Sequence, residues 1–395
     1  MKTKQLGEER GIVVVLGMLL LLVATVIGIS SLNTSTYDIR ISGNQRASVQ
    51  AFYVAEAGIN EFMGRFRPSA TNQISDSDPF NPAWNILLAK APGKGAAQVG
   101  YVSGAPNSIS SLQNEMDFGV EIKHKTDETN QVTTYGGAPV YILKSHGFTA
   151  DGGYKVLEVE LIRSPNYDPP SAVYSEKPVH IRGSSTYING DDLCGPTKKP
   201  GVTTTTAAIP PIIKSGNPSI NGSPPEVTQA STPPPAELQL KEMLDYLKGA
   251  ADFKYDFNEN QTLTGYSDLW GTPTSSDKTV PIIYTGPMNI VYLNLQGTRT
   301  LKLTGDSHGA GILLVEGNLE INGGFTWYGI ILATGSVGYI DGGQKNVTGG
   351  IMTAGSATMG IVVDENTGIV YCSTVSNRLK EIIPPFRITR WREIF

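Results

Sequence analysis

The chain has 395 residues, enough for two or three domains and a sizeable core. Its net charge of −5 gives no electrostatic reason to expect nucleic acid as a partner. With 44 Gly, 25 Pro and only 17 % charged residues, it suits strands and tight turns better than helical bundles.

Residues 1–11 read as a basic leader, with Lys2, Lys4 and Arg10 partly offset by Glu8 and Glu9. From Ile12 to Ile29 every residue is apolar or small (IVVVLGMLLLLVATVIGI), and no charge returns until Asp38. Eighteen residues at helical rise cover about 27 Å, close to the hydrocarbon core of a bilayer. The cationic side tends to stay in the cytoplasm, so the C-terminal bulk is expected outside it. Beyond the span, Ala47, Ala51, Ala55, Gly58 and Phe62 recur at spacings of four, four, three and four. That period predicts a helix, one long element over 12–66, with a stripe of small residues that lets another backbone approach closely. The polar Gln45, Arg46, Gln50, Glu56, Asn60 and Glu61 fill its other faces. Glu56 is either a solvated helix residue or a subunit contact.

The order of Arg10-Gly11, apolar span, Ser42-Gly43-Asn44 and Ala55-Glu56-Ala57-Gly58 resembles the N-terminal region of PilX-type minor pilins, components of type IV pilus assembly in Gram-negative bacteria. The resemblance covers roughly the first sixty residues. It implies an inner-membrane anchor with a periplasmic head, which reaches the pilus or cell surface on assembly. It also implies other pilins and minor pilins as partners, and processing by prepilin peptidase between Gly11 and Ile12. Ala47, Ala51, Ala55, Glu56 and Gly58 become the candidate assembly interface. Major pilins carry Glu as the fifth mature residue, where this chain has Leu16, so the resemblance points to a minor, priming or tip component. An uncleaved signal anchor without a pilus role would show the same span. A cleaved secretory signal fits less well, because no A-x-A-like site ends the apolar run.

Residues 67–117 read as a connecting region rich in turn formers, with a short helical turn expected over 85–90. FGVEIKHKT alternates in strand fashion, and VYILKSHGFTA and YKVLEVELIR flank Asp151-Gly152-Gly153, a hairpin signal. A pilin-like antiparallel β domain is therefore expected over 67–168, with the outer half of the long helix packed on its sheet. His124 and His146 lie in or beside these strands with no second ligand at metal spacing, and read as structural.

The last segment, 169–395, is expected to be a Gly-rich β-solenoid. Residues 196–235 read as an extended Pro/Thr-rich excursion. Leu240, Met243, Leu244 and Leu247 predict an amphipathic helix over 237–251, packed over a sheet. From Val280 onward Gly311-Ile312, Gly329-Ile330, Gly350-Ile351 and Gly368-Ile369 recur at steps of 18, 21 and 18, with Gly317 and Gly335 in matching places. Units of about twenty residues cannot bury their own apolar face and are stabilised by stacking, which points to a parallel β-helix. The 237–251 helix and the C-terminal IIPPFRITRWREIF are candidates for covering its ends. The region also resembles the solenoid-like C-terminal part that accompanies some PilX-type N-termini.

Cys194 and Cys372 can pair in an oxidising periplasm, and the sequence leaves open both a disulfide and two separate buried thiols. Parallel β-helices include polysaccharide lyases and hydrolases, and glycoside cleavage needs two carboxylates facing one cleft. Asp191 and Asp192 are adjacent and would point to opposite faces of a strand; as loop residues they could chelate Ca²⁺ with Asp341, yet no calcium motif is present. No nucleophile elbow, P-loop, HExxH or CxxC occurs. The expectation is a non-enzyme without cofactor or metal. A pilus-tip adhesin or carbohydrate-binding module is the alternative, and an enzyme acting on envelope polysaccharide comes third.

Overall fold

The computed structural model describes residues 6–65, 85–88, 116–204, 212–223, 226–229, 237–265, 269–275, 277–340, 342–354 and 359–394. The fold is mixed α+β. Helix α1 (Leu6–Arg65) runs for 60 residues, roughly 90 Å at helical rise. A six-stranded sheet is ordered Asn85–Leu88, Asp117–His124, Ala138–Phe148, Tyr154–Arg163, Phe386–Ile394, with Thr134–Tyr135 pairing beside Ala138–Phe148. Asn85–Leu88 is a strand antiparallel to Asp117–His124. The helical turn expected there gives way because an open sheet edge offers the backbone its hydrogen bonds.

The chain forms two compact units. One holds residues 1–123, 142–159 and 390–395; the other holds 124–141 and 160–389. The division therefore does not follow the linear segments 67–168 and 169–395. In the first unit the hairpin closes where Thr149 N–H donates to Gly153 O at 3.0 Å, around Gly152 in the left-handed region (φ +78°). The antiparallel register puts Phe118, Val120 and Ile122 on one face and Glu121 and Lys123 on the other.

The second unit is dominated by parallel pairing. Successive strands alternate between two sheets: Asn289–Asn294, Ser307–Glu316, Phe325–Ala333, Lys345–Thr353 and Thr367–Val370 join one, while Thr300–Thr304, Asn318–Asn322, Val337–Tyr339 and Ile361–Val363 join the other. Leu301, Leu319, Val337 and Ile361 stack in register, as do Leu313, Ile331 and Ile351, so each strand adds one layer to a continuous apolar interior. Gly311, Gly329 and Gly349 stack as a column within their strands, all with positive φ. A Cβ on Gly329 would lie 1.7 Å from Gly311 O, so only glycine allows this spacing. The column therefore continues through Gly349, not Gly350, and Gly368 pairs with Asn346 outside it. The sequence repeat slips there because Gly311 to Gly329 spans 18 residues (329 − 311) and Gly329 to Gly349 spans 20 (349 − 329).

The order of layers is not the order of the chain. Val179–Arg182 pairs with Ile361–Val363 and then Ile212–Ser215, and Tyr187–Asn189 pairs with Thr367–Val370 and then Ser219–Asn221, so these strands continue the stack beyond its last repeat. The Pro/Thr-rich excursion is part of this. Val202–Thr204, Ile212–Ser215, Ser219–Asn221 and Val227–Gln229 are parallel strands, with Val202 and Ile220 buried. β-branched Thr, Val and Ile supply the strand preference that the prolines mask in the sequence.

Helix α2 (Glu237–Lys248) and helix α3 (Ser373–Ile382) cover a flank of the stack. Leu240, Met243, Leu244 and Leu247 of α2 and Val375 and Leu379 of α3 bury against Ile312, Leu314, Ile330, Leu332 and Met352. Each such side chain is worth about 1.5–3 kcal/mol. Helix α2 thus packs over a sheet, as its apolar stripe predicts, and ends at Lys248 rather than residue 251. It does not cover an end. The C-terminal segment supplies Phe386–Ile394, the outer strand of the six-stranded sheet.

Candidate functional site

The site singled out by the sequence is α1. Its first half, from Ile12 through Ile41, is exposed, with large apolar side chains such as Leu21 (71 %) and Leu32 (70 %) facing outward. It is long and apolar enough to cross a membrane. Among its polar side chains, Thr25, Thr34 and Thr36 each donate to the carbonyl four residues earlier, so these three hydroxyl protons are satisfied within the helix. Gly11 lies within the helix, and Ile12 is exposed.

The second half carries the small-residue stripe. Ala47, Ala51, Val54, Ala55, Gly58, Ile59 and Phe62 are buried, in a helical period. Their partner is the sheet of their own unit. A Cβ on Gly147 would fall 2.1 Å from Ala51 O and 2.6 Å from Ala55 N, and one on Gly153 would fall 2.5 Å from Ala47 O. A Cβ on Gly58 would meet Ser145 Oγ at 2.3 Å and lie 3.1 Å from Phe118. Glycine and alanine on the helix therefore meet glycine on the strands, and backbone touches backbone. Gly147 was not singled out in the sequence, and Gly153 was read only as part of the hairpin turn. For Gly147 the signal was there: an isolated Gly inside a strongly β run marks a close backbone approach.

With the small residues turned inward, the opposite face is left to solvent. Val49 (54 %) and Tyr53 (62 %) are exposed, as are Glu56 and Asn60. Glu56 is thus on a different face from Ala51 and Gly58. Beside it, Phe52 packs edge-on against Trp391, centroids 5.4 Å apart.

The two cysteines are brought together. Cys194 and Cys372 form a disulfide with Cα atoms 5.2 Å apart, closing a separation of 178 residues. It ties the loop after Tyr187–Asn189 to the start of α3, whose N-cap is Cys372. Cys372 gives no side-chain cap; instead Asp192 Oδ1 accepts from Ser373 N–H at 3.0 Å. Asp191 takes no part in this and pairs with Lys198 as an isolated bridge; Asp341 lies outside the described residues.

Next to the disulfide, Asp168 gathers a network. Its Oδ2 accepts from Lys199 Nζ at 2.6 Å, and its Oδ1 from Tyr371 OH at 2.8 Å and Ser376 Oγ at 2.7 Å. Burial would raise the Asp168 carboxyl, but these donors outweigh it and hold it below the ordinary range. Burial lowers Lys199, against the pull of Asp168. For Tyr371, burial first and then the Asp168 carboxylate push the phenol up. At neutral pH this is a charged pair with satisfied neighbours, an anchor between the 168–199 segment and α3. His146 shares a 2.8 Å hydrogen bond with Tyr154 OH, and His124 stacks on Tyr141, as structural histidines would.

Residues 10–60 match the family model described as PilX N-terminal. No curated protein matches the chain. Among solved structures, the ice-binding protein LeIBP from Arctic yeast is similar at 16 % identity and a TM-score of 0.27, covering 51 % of this chain and 90 % of that one. An ice-binding protein from an Antarctic Biological Consortium is similar at 12 % identity and a TM-score of 0.26, covering 53 % and 91 %. The competence-associated pilin ComZ from Thermus thermophilus is similar at 13 % identity and a TM-score of 0.24, covering 88 % and 97 %.

Proposed function

We propose that this chain, with a PilX N-terminal domain at residues 10–60, is a minor pilin of type IV pilus assembly: an anchoring helix carrying a large, non-catalytic exported head. The observation that carries the reading is the coincidence of that match with the two halves of α1. The first half is an exposed apolar length suited to lipid, and the second is docked on a sheet by Ala47, Ala51, Ala55 and Gly58. In this reading the helix sits in the inner membrane until assembly and then meets the helices of other pilins. The surface it offers them is the exposed Val49–Tyr53–Glu56 face, since the small-residue stripe is occupied by the head. Prepilin peptidase removes residues 1–11, leaving Ile12 as the mature N-terminus. Leu16 in place of the major-pilin Glu suits a priming or tip position.

Deletion of the gene tests the proposal, read by surface pili in electron micrographs. Pili should be lost or sharply reduced, and a copy in trans should restore them. Normal piliation would overturn it. Intact mass of the native protein tests the processing: a mature chain beginning near Ser31 would mark a secretory signal and remove the pilin reading.

A further inference from the structure

We propose that Cys194, Cys372 and Asp192 form a zinc site when the disulfide is reduced. Among the described residues these three place one ligand atom each within 4.8 Å of one another. The second observation is the carboxylate itself. Asp192 is only 8 % exposed, its Oδ1 accepts from Cys194 N–H (2.9 Å) and Ser373 N–H (3.0 Å), and its Oδ2 is buried without a hydrogen-bond partner. A buried carboxylate oxygen left unpaired is costly. Here the carboxylate is held beside both sulfurs, its Oδ1 fixed by backbone donors that belong to the two cysteine-bearing segments. Lys199, which feels the Asp192 charge, spends its ammonium on Asp168 and Pro169 O.

The space is kept open by Gly195. A Cβ there would fall 2.6 Å from Asp192 Oδ2 and 2.8 Å from Ser373 Oγ, so any other residue would fill the gap between these oxygens. Two thiolates and a carboxylate are the donor set of Zn²⁺; Ca²⁺ and Mg²⁺ demand oxygen alone. Ser373 Oγ or a water completes four-coordination. Tetrahedral zinc with bonds of about 2.3 Å sets two sulfurs roughly 3.8 Å apart. Rotation of the exposed Cys194 side chain supplies that opening, while Cys372 stays fixed in the core. Zinc then ties the Cys194 loop to the start of α3 where the disulfide did before. Reduction by a phosphine gives the phosphine oxide and two thiols, with water supplying the oxygen and both protons. Zinc binding then releases the thiol protons.

The test uses the full chain in detergent micelles, reduced anaerobically with a phosphine and titrated with Zn²⁺ against a chelating dye. Cobalt substitution reports thiolate ligation through its charge-transfer absorption. About one zinc per reduced chain is expected, with both thiols protected from alkylation and no uptake by the oxidised chain. Asp192→Asn keeps the acceptor for both backbone N–H groups and should weaken zinc at least about tenfold. Gly195→Ala, which fills the gap, should do the same and serves if Asp192→Asn does not fold. The proposal is overturned if the reduced chain takes up no zinc, if the oxidised chain binds it equally well, or if the folded variant binds within about twofold of the parent.

Discussion

Gly147→Ala is the most exacting single change in the helix-docked unit, because one methyl group has nowhere to go. The new Cβ would lie 2.1 Å from Ala51 O and 2.6 Å from Ala55 N, both backbone atoms of α1. Ordinary contact begins near 3.4 Å, so helix and strand must part by about 1 Å. A gap of that size forfeits roughly a quarter to a half of each dispersion contact across the interface. Overpacking of well-fitted elements costs about 1–3 kcal/mol, and a backbone-to-backbone clash belongs at the upper end. The local opening energy of residues 47–62 should therefore fall by about 3 kcal/mol, speeding amide exchange there by about two decades. Hydrogen exchange of the full chain, read by mass spectrometry, measures this. Gly64→Ala is the control, since nothing lies within 4 Å of its added Cβ, and it should be neutral or slightly stabilising. Unchanged exchange over 47–62 in Gly147→Ala would refute the close docking of α1 on this sheet.

Replacing both cysteines by Ser should lower the thermal midpoint of the second unit. The chain-entropy model puts the closure of 178 residues at about 5 kcal/mol, and an unchanged midpoint would remove the staple role. Asp168→Asn leaves Lys199 part-buried without its partner and should cost about 2–3 kcal/mol, below the range for fully buried pairs because Asp168 keeps some exposure. Because the folded Asp168 carboxyl is held below its unfolded value, its contribution is complete above about pH 4 and is lost as the pH falls through the folded value. Acid titration of the parent should show that loss, and Asp168→Asn should lack it. Gly329→Ala places a Cβ 1.7 Å from Gly311 O at a positive φ, and should abolish cooperative folding of the stack as seen in the melting curve.

Local patterns carried the elements that stand on local physics. The α1 stripe, the hairpin around Gly152 and the apolar face of α2 could all be read from spacing, because one period and one burial direction fix each of them. The parallel pairing of the repeats was legible for the same reason. The order of the layers was not. Val179–Arg182 meets Ile361–Val363 across some 180 residues, and short strands without strict alternation carry no address for so distant a partner. The strands at 202–229 were hidden by prolines that lie between them and not within them. The Asp168 network joins residues from two distant stretches, and nothing in either stretch announces the other. The direction of the α1 stripe was left open between its own sheet and a neighbouring helix, since Gly147 and Gly153 decide it and neither is near in sequence.

A photo-crosslinking amino acid, placed in turn at Tyr53 and Ala51 in piliated cells, tests most directly how this helix is used. Tyr53 lies on the exposed face of α1 and Ala51 is buried against the sheet of its own unit. Adducts with other pilin subunits are expected from position 53, and from position 51 only intramolecular links or none. Intermolecular adducts from position 51 without any from 53 would contradict this use of the helix.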